Sequence, residues 1–296
     1  PMPTREPDAL PAWLCRGRGI PLDRPLVLGV LNVTPDSFSD GGRFFSIEAA
    51  LDHGSRLVEE GADVIDIGGE STRPQGAREV DVAEECRRVL PVLSALRDHH
   101  PKARFSVDTV KSEVAAAALA AGADIINDVS AFRLDPTMAS VCAEAGAGVI
   151  LMHSRGGVTD MATYAHARYG TDPVADVIAE LRARLDEAEG AGIARGAIVI
   201  DPGIGFSKRT EHSVAMLAGL SRLVALGYPV AVGVSRKRFI GELSGSPDPV
   251  DRLEGTIGAN VMALAAGARI FRVHDVRATR RALDVAWAIA RSRDAT

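Results

Sequence analysis

The stretch "EEGADVIDIGG", residues 59–69, runs from a helical tail through Gly-Ala into a β-branched apolar run and ends on polar residues. Glycine just past a helix supplies a left-handed turn, and the apolar run has the composition of a strand buried on both faces. The phrase returns as "AAGADIINDVS" (120–130), "EAGAGVILMH" (144–153) and "AAGARIFRVHD" (265–275). Without the Gly-Ala, "LVLGVLN" (26–32), "FSVDT" (105–109), "AIVIDPG" (197–203) and "VAVGVS" (230–235) complete a set of eight strands.

Helix-period segments separate them. "SIEAALDHGSRLVEEG" puts Ile47, Ala50, Leu51, Gly54, Leu57 and Val58 on one stripe, with Ser46 as the N-cap. "PVADVIAELRARLDEAEGAG" repeats the pattern with Val174, Val177, Ile178, Leu181 and Leu185. Strand–helix units recurring roughly every 35 residues over residues 26–296 fit an α/β fold of the (β/α)8 TIM-barrel type better than a doubly wound sheet. Residues 1–25 are expected to form a short N-terminal extension outside or capping a single barrel domain at 26–296.

Bulk composition narrows the function. With 34 basic and 39 acidic residues the formal net charge is −5, and aromatics are only 4%, so no nucleic-acid partner is expected. Cys15, Cys86 and Cys142 are odd in number, widely spaced and free of a CxxC pair. That argues against a disulfide framework and a zinc knot, and for a reducing cytoplasm. "PMPTREPDALPAW" lacks the apolar core of a signal peptide, and "AAAALAAGADII" is too short to span a bilayer, so no membrane association is expected.

Barrel enzymes collect their active groups at the carboxyl ends of the strands. Those ends here carry Asn32, Glu70-Ser71-Thr72-Arg73, Asp108, Asn127-Asp128, Met152-His153, Asp201, Ser235-Arg236-Lys237 and Arg272-Val273-His274-Asp275. Singly, such acids are as often ion pairs or helix caps as ligands. Together, Asp108, Asn127, Asp201 and Lys237 offer acceptors and donors to a flat heterocycle with amino, ring N–H and carbonyl groups. Arg73, Arg272 and His274, with Ser71 and Thr72, form a second group suited to an anion. Arg236 and Arg238 could equally face solvent or a dimer partner. No HExxH, no P-loop and no nucleophile elbow occurs, and the seven histidines are scattered.

In order along the chain stand "LNVTPDSFSDGG", "DIGGESTRPQG", "SVDT", "INDVS", "LMH", "IDPGIGF", "GVSRK" and "FRVHDV". This series, covering roughly residues 26–276, resembles the dihydropteroate synthases of folate biosynthesis, one motif per barrel strand. The resemblance implies condensation of 6-hydroxymethyl-7,8-dihydropterin diphosphate with 4-aminobenzoate. It implies that Asp108, Asn127, Asp201 and Lys237 hold the pterin, with Met152 and Phe206 lining its pocket. Asn32, Thr72, Arg73, Arg272 and His274 would bind the diphosphate, Asn32 through a Mg²⁺ ion. Asp40 would face the cationic centre beside Lys237, Arg272 and His274. Phe38 and Pro74 would wall the aryl ring, with Phe206, Lys237 and Arg238 near it. A homodimer formed through the late helices is also implied.

Departures from the family pattern are Ala131 in "INDVSAF" and Ser207 in "GFSK", where glycine is common, Arg238 where serine is, and the segment 154–170. No insertion follows "SVDT", so an aminobenzoate pocket like that of sulfonamide-sensitive relatives is expected. The competing readings are a pterin-dependent methyltransferase and a catalytically silent pterin-binding barrel. The first would not need "SFSDGG", "SRK" or the Arg272/His274 pair, and the second should first lose Asp40, Arg272 or Lys237.

Overall fold

The protein is described by a computed structural model over residues 12–34, 47–71 and 79–294. Ser46, Phe38, Asp40, Thr72, Arg73 and Pro74, singled out above, lie outside the described residues.

The chain opens on an antiparallel hairpin, β1 (Ala12–Cys15) and β2 (Arg18–Pro21). Eight parallel strands follow: β3 (Leu26–Asn32), β4 (Val64–Gly68), β5 (Arg104–Asp108), β6 (Ile125–Asp128), β7 (Gly148–Met152), β8 (Ile198–Asp201), β9 (Ala231–Val232) and β10 (Ile270–Val273). Their order is β8-β7-β6-β5-β4-β3-β10-β9, and a parallel bridge from Ile200 to Val230 joins the two ends. A ring of strands ordered by sequence, each followed by helix, is the (β/α)8 barrel. The helices are α1 (Ile47–Glu59), α2 (Val82–His99), α3 (Ser112–Ala120), α4 (Met138–Ala145), α5 (Pro173–Gly190), α6 (Thr210–Ala218), α7 (Leu220–Val224), α8 (Arg238–Ser244), α9 (Leu253–Ala265) and α10 (Val276–Asp294).

The Gly-Ala phrase does what its composition requires. Gly61, Gly122, Gly146 and Gly267 have φ of +97°, +105°, +59° and +107°, the left-handed turn that carries the chain from helix into strand. Helix α5 starts where Asp172 Oδ1 accepts from the Val174 and Ala175 amides at 3.1 and 3.0 Å, with Pro173 in the first turn. Its buried stripe is Val174, Val177, Leu181, Leu185 and Ala188, while Ile178, also placed on the stripe by periodicity, is half-buried against the core. On α1 the stripe is narrower than expected: Ala50, Gly54 and Leu57 are buried, but Ile47 is 40% exposed.

Period-two alternation divides the core. Val27, Leu31, Ile65, Ile67, Val107, Ile126, Val149 and Leu151 pack outward against the helices. Leu26, Leu28, Val64, Ile125, Ile150, Val199, Ala231 and Ile270 cluster separately, with Trp13, Cys15 and Ile20 of the hairpin. The hairpin therefore plugs the amino-terminal end of the barrel, and Trp13 Nε1 donates to the Ala197 carbonyl at 2.9 Å. With that end filled by side chains, polar groups on the inner face are left to the opposite end.

Candidate functional site

The alternation that sends Val64 inward at the base of β4 sends Asp66 inward one layer higher. It does the same for Asp108, Asn127, Met152, Asp201 and Arg272 on their strands. Register makes several of these neighbours: Asp108 lies opposite Asn127, Gly68 opposite Asp108, and Met152 opposite Asp201.

Arg272 knits the layer together. Its Nε donates to Asp66 Oδ2 at 2.6 Å and its Nη2 to Asp108 Oδ2 at 2.8 Å, while Asn127 Nδ2 donates to the same Asp66 oxygen at 3.2 Å. Sequence reading separates Asp108, in a heterocycle group, from Arg272, in an anion group; the structure joins the two by an ion pair. Burial works against the Arg272 charge, yet Asp66 and Asp108 raise its pKa above the ordinary value. Burial raises the Asp108 carboxyl, with Arg272 opposing and Asp66 reinforcing the shift. Asp66 is wholly buried, and its Oδ1 has no hydrogen-bond partner among the described residues.

Asp66 is the principal residue that reading the strand ends missed. Its signal is an acid inside "VIDIG", an otherwise apolar strand, where a buried carboxylate requires a partner.

A second group faces the first across the mouth. Asp201 is buried, and its Oδ1 accepts the Gly203 amide at 2.7 Å; burial raises its pKa and Lys237 opposes the rise. Lys237 is pushed down to about 8 by burial, with Asp201 opposing. Its Nζ donates to the Ile204 carbonyl and lies 4.5 Å from the centre of the Phe206 ring, a cation–π distance. A methyl built on Gly233 would lie 3.8 Å from Arg272 Cβ and 3.9 Å from Lys237 Nζ, so the Lys237 ammonium reaches the base of the Arg272 side chain, and the Arg272 charge adds to the lowering of the Lys237 pKa. Met152 and Phe206 share an apolar cluster with Val110, Val129, Val158 and Met161, the shelf on which a flat ring could stack.

The turn carrying Phe206 is fixed from behind. Lys208, fully buried, donates to the Phe206 carbonyl at 3.1 Å and to His153 Nδ1 at 2.8 Å. Since Nδ1 accepts, His153 Nε2 donates to Glu180 Oε2 at 3.0 Å. His153 is thus a satisfied relay residue, and burial followed by Lys208 pushes its pKa down to about 4. Other rim groups are also structural. Asp128 takes the Ser130 amide and hydroxyl on Oδ1, both at 2.7 Å, and the Phe132 amide on Oδ2 at 3.0 Å. Glu70 Oε1 takes the Val80 amide at 2.6 Å and Lys111 Nζ at 2.9 Å.

At the end of β10, His274 Nδ1 is 3.0 Å from Ser235 Oγ, and Asp275 forms a two-point ion pair with Arg236 at 2.9 and 2.6 Å. Arg238 is exposed, with its guanidinium 4.0 Å over the Tyr164 ring. A cavity of about 250 Å³ between the Ser130–Arg133 turn, His153 and α5 lies to one side and contains none of the Arg272 ion pairs.

Asn32, at the tip of β3, brings its side-chain oxygen near Asp108. A methyl built on Gly68 would lie 3.6 Å from Asn32 Oδ1 and 3.9 Å from Asp108 Oδ2. Among the described residues no group of three or more His, Cys, Asp or Glu side chains could hold a metal. A lone amide oxygen such as that of Asn32 is a ligand type that hard cations accept alongside phosphate and water oxygens.

Residues 28–274 match the family described as pterin binding enzyme. The chain is 48% identical over 269 residues to dihydropteroate synthase of Mycobacterium leprae, covering 88% of this chain and 93% of that protein. It is 43% identical to the mitochondrial folate synthesis bifunctional protein of Arabidopsis thaliana, of whose length it spans 50%. It is also 44% identical, over 93% of this chain and 86% of the relative, to inactive dihydropteroate synthase 2 of Mycobacterium tuberculosis. Among solved structures, Xanthomonas albilineans dihydropteroate synthase with 4-aminobenzoic acid superposes with a TM-score of 0.86 at 48% identity, covering 94% of this chain and 98% of that one. The same enzyme with 7,8-dihydropteroate gives 0.83 at 47%, covering 93% and 97%. A Yersinia pestis dihydropteroate synthase with a sulfonamide drug complex gives 0.85 at 40%, covering 95% and 98%.

Proposed function

The chain belongs to the pterin-binding enzyme family, among the dihydropteroate synthases, and from that premise we propose that it condenses 6-hydroxymethyl-7,8-dihydropterin diphosphate with 4-aminobenzoate. The observation that carries this reading is the gathering at one barrel mouth of Arg272 paired with Asp66 and Asp108, Lys237 within the field of Asp201, and an apolar shelf of Met152 and Phe206. A pterin offers the amino, ring N–H and carbonyl edge that such carboxylates and a lysine match, and a ring face for Phe206.

In this reading Asp108, Asn127, Asp201 and Lys237 orient the pterin, and Arg272 and His274 receive the diphosphate. Thr72 and Arg73 are assigned to the diphosphate by family resemblance. By the same resemblance, Asp40 is assigned to the reacting centre, and Phe38 and Pro74 to the aryl pocket. The bond from the pterin methylene to the diphosphate oxygen breaks, pyrophosphate leaves with the electron pair, and the ring delocalises the cation. The arylamine nitrogen then attacks the methylene and loses its proton, which requires no strong base. This chain's own work is positioning and charge stabilisation, consistent with a site built from ion pairs rather than a nucleophile dyad. Mg²⁺ bound through Asn32 and substrate phosphates would neutralise charge on the leaving group.

The overall likeness to a dihydropteroate synthase solved with a sulfonamide drug complex supports sulfonamides as competitors of 4-aminobenzoate. A homodimer through α9 and α10 fits the exposure of Met262, Val285 and Ile289, at 69%, 63% and 54%. Among the described residues no helix is long and apolar enough to cross a membrane. A cytoplasmic location remains part of the proposal, resting on cysteine usage.

Relatedness to an inactive relative keeps a silent pterin-binding barrel as the second reading. Pyrophosphate release from the pterin diphosphate, with and without 4-aminobenzoate and with and without Mg²⁺, separates the two. Release matched one-to-one by dihydropteroate and abolished by chelator is expected. Pterin binding without release would overturn the synthase reading.

A further inference from the structure

Ser235 stands just past β9 and is 6% exposed. Its Oγ accepts the His274 backbone N–H at 3.2 Å and lies 3.0 Å from His274 Nδ1. A serine hydroxyl has one proton to give and two lone pairs to receive. Here the oxygen already receives an amide, and among the described residues Nδ1 is the only acceptor within reach of its proton. A neutral imidazole carries one ring proton, so an accepting Nδ1 leaves that proton on Nε2.

We infer that Ser235 is a positioning residue that fixes His274 in its Nε2–H tautomer, presenting that nitrogen as a hydrogen-bond donor. The surrounding backbone is pinned to hold this geometry. Arg236 sits at φ +58°, a region that a β-carbon disfavours. Its guanidinium grips Asp275 at 2.9 and 2.6 Å, one residue beyond His274. Its amide donates to Thr256 Oγ1 at 3.0 Å, and its carbonyl accepts Arg252 Nη1 at 2.9 Å. The ends of β9 and β10 are therefore cross-tied on the residues adjoining both members of the Ser235–His274 pair.

An oxygen anion needs a donor, and the opposite tautomer would turn a lone pair toward it. This consequence rests on the proposed diphosphate role of His274; the tautomer itself does not.

The test is ¹⁵N NMR of the full-length protein labelled on histidine, at about pH 8, above the ordinary histidine range. The His274 signals are identified by their loss in His274→Gln. Expected are an unprotonated Nδ1 and a protonated Nε2 in the parent, a shift toward mixed tautomers in Ser235→Ala, and restoration in Ser235→Thr. A proton on Nδ1, protonation of both nitrogens at that pH, or an unchanged spectrum in Ser235→Ala would each overturn the inference. Kinetics form the second arm. Ser235→Ala should raise KM for the pterin diphosphate about tenfold, the low end for a partner that orients a ligating histidine, and leave KM for 4-aminobenzoate unchanged. An equal rise in both would mean general loosening and count against positioning. Absence of turnover in the parent would sink the synthase reading, and the NMR outcome would still decide the tautomer.

Discussion

Arg272 Nε donates to Asp66 Oδ2 at 2.6 Å across the inside of the barrel, from β10 to β4. The pair is more than an ornament of the mouth. Asp66 is fully buried, and its Oδ2 accepts both from Arg272 and from Asn127 Nδ2, the latter at 3.2 Å. Arg272 in turn reaches Asp108 from the same guanidinium. A carboxylate that binds no heterocycle in the proposal therefore sets the position of one that does.

Removing Asp66 should then damage both fold and binding. Asp66→Ala leaves Arg272 with one carboxylate partner and Asn127 with none, and breaking a buried pair costs about 3–5 kcal/mol. Urea denaturation of Asp66→Ala should show a loss of that order, and Asp66→Asn a smaller one. Calorimetry should show weakened pterin binding in both. Unchanged stability in Asp66→Ala would mean the pair carries no net load.

His153 predicts a pH dependence with a definite sign. Its folded pKa is pushed down to about 4, chiefly by burial, from 6.5. Between those values the unfolded chain takes up a proton that the native relay to Glu180 and Lys208 excludes, so acidification favours unfolding. His153→Gln can still donate to Glu180 and accept from Lys208 but does not titrate. The stability advantage of the parent over His153→Gln should shrink by up to about 3 kcal/mol as pH falls from 7 to 4. Parallel urea titrations of the two proteins would check this, and a constant difference across that range would contradict it.

Gly203 tests how tightly the Asp201–Lys208 turn is wedged. It has φ +67°, and a β-carbon there would lie 1.9 Å from the His153 carbonyl oxygen. Gly146 is also left-handed, at +59°, but a β-carbon on it would meet nothing within 4 Å. Gly146→Ala should cost about 1 kcal/mol from backbone strain alone. Gly203→Ala should cost several times more, because backbone must move. Thermal unfolding of the two variants should differ accordingly, and equal losses would mean the turn yields easily.

Much of this architecture is legible in the sequence alone, and the reason is period. Eight apolar runs and repeated Gly-Ala pairs specify strands, and strands closed into a barrel specify one functional rim. Pairing is not legible. Nothing in spacing says that Arg272 will reach Asp66, 206 positions away, rather than an anion alone. "VAVGVS" reads as a six-residue strand but forms only Ala231–Val232, because the chain turns at once to pin Ser235 and Arg236. The glycine replacements are visible, yet their cost is not. Ala131 and Ser207 sit at φ +51° and +50°, where glycine would be unstrained. Ser207 is held there by its amide on the Met161 carbonyl at 2.6 Å and by the Arg155 amide on its Oγ at 3.0 Å. Ala131 is enclosed by the Asp128 turn, and its amide donates to the Asp128 carbonyl at 3.0 Å.

Lys237 makes the most direct link between environment and rate. Burial brings its pKa down to about 8, with Asp201 resisting the fall, so the ammonium is lost within an accessible range. Below that value three N–H groups serve the Ile204 carbonyl, the Phe206 ring and an arriving acceptor; above it the charge is gone. For the free enzyme, kcat/KM for the pterin diphosphate should therefore fall as pH rises through about 8, with a single-proton limb. Lys237→Met keeps the stem packed against Gly205 but has no donor. It should lower kcat/KM about a hundredfold, the size expected for a hydrogen bond from a charged donor, and flatten the alkaline limb. Lys237→Arg should move that limb beyond about pH 10 without restoring the full rate, since a guanidinium does not fit the space of an ammonium. An alkaline limb that survives in Lys237→Met would assign the titration to another group and remove Lys237 from the role of charged donor.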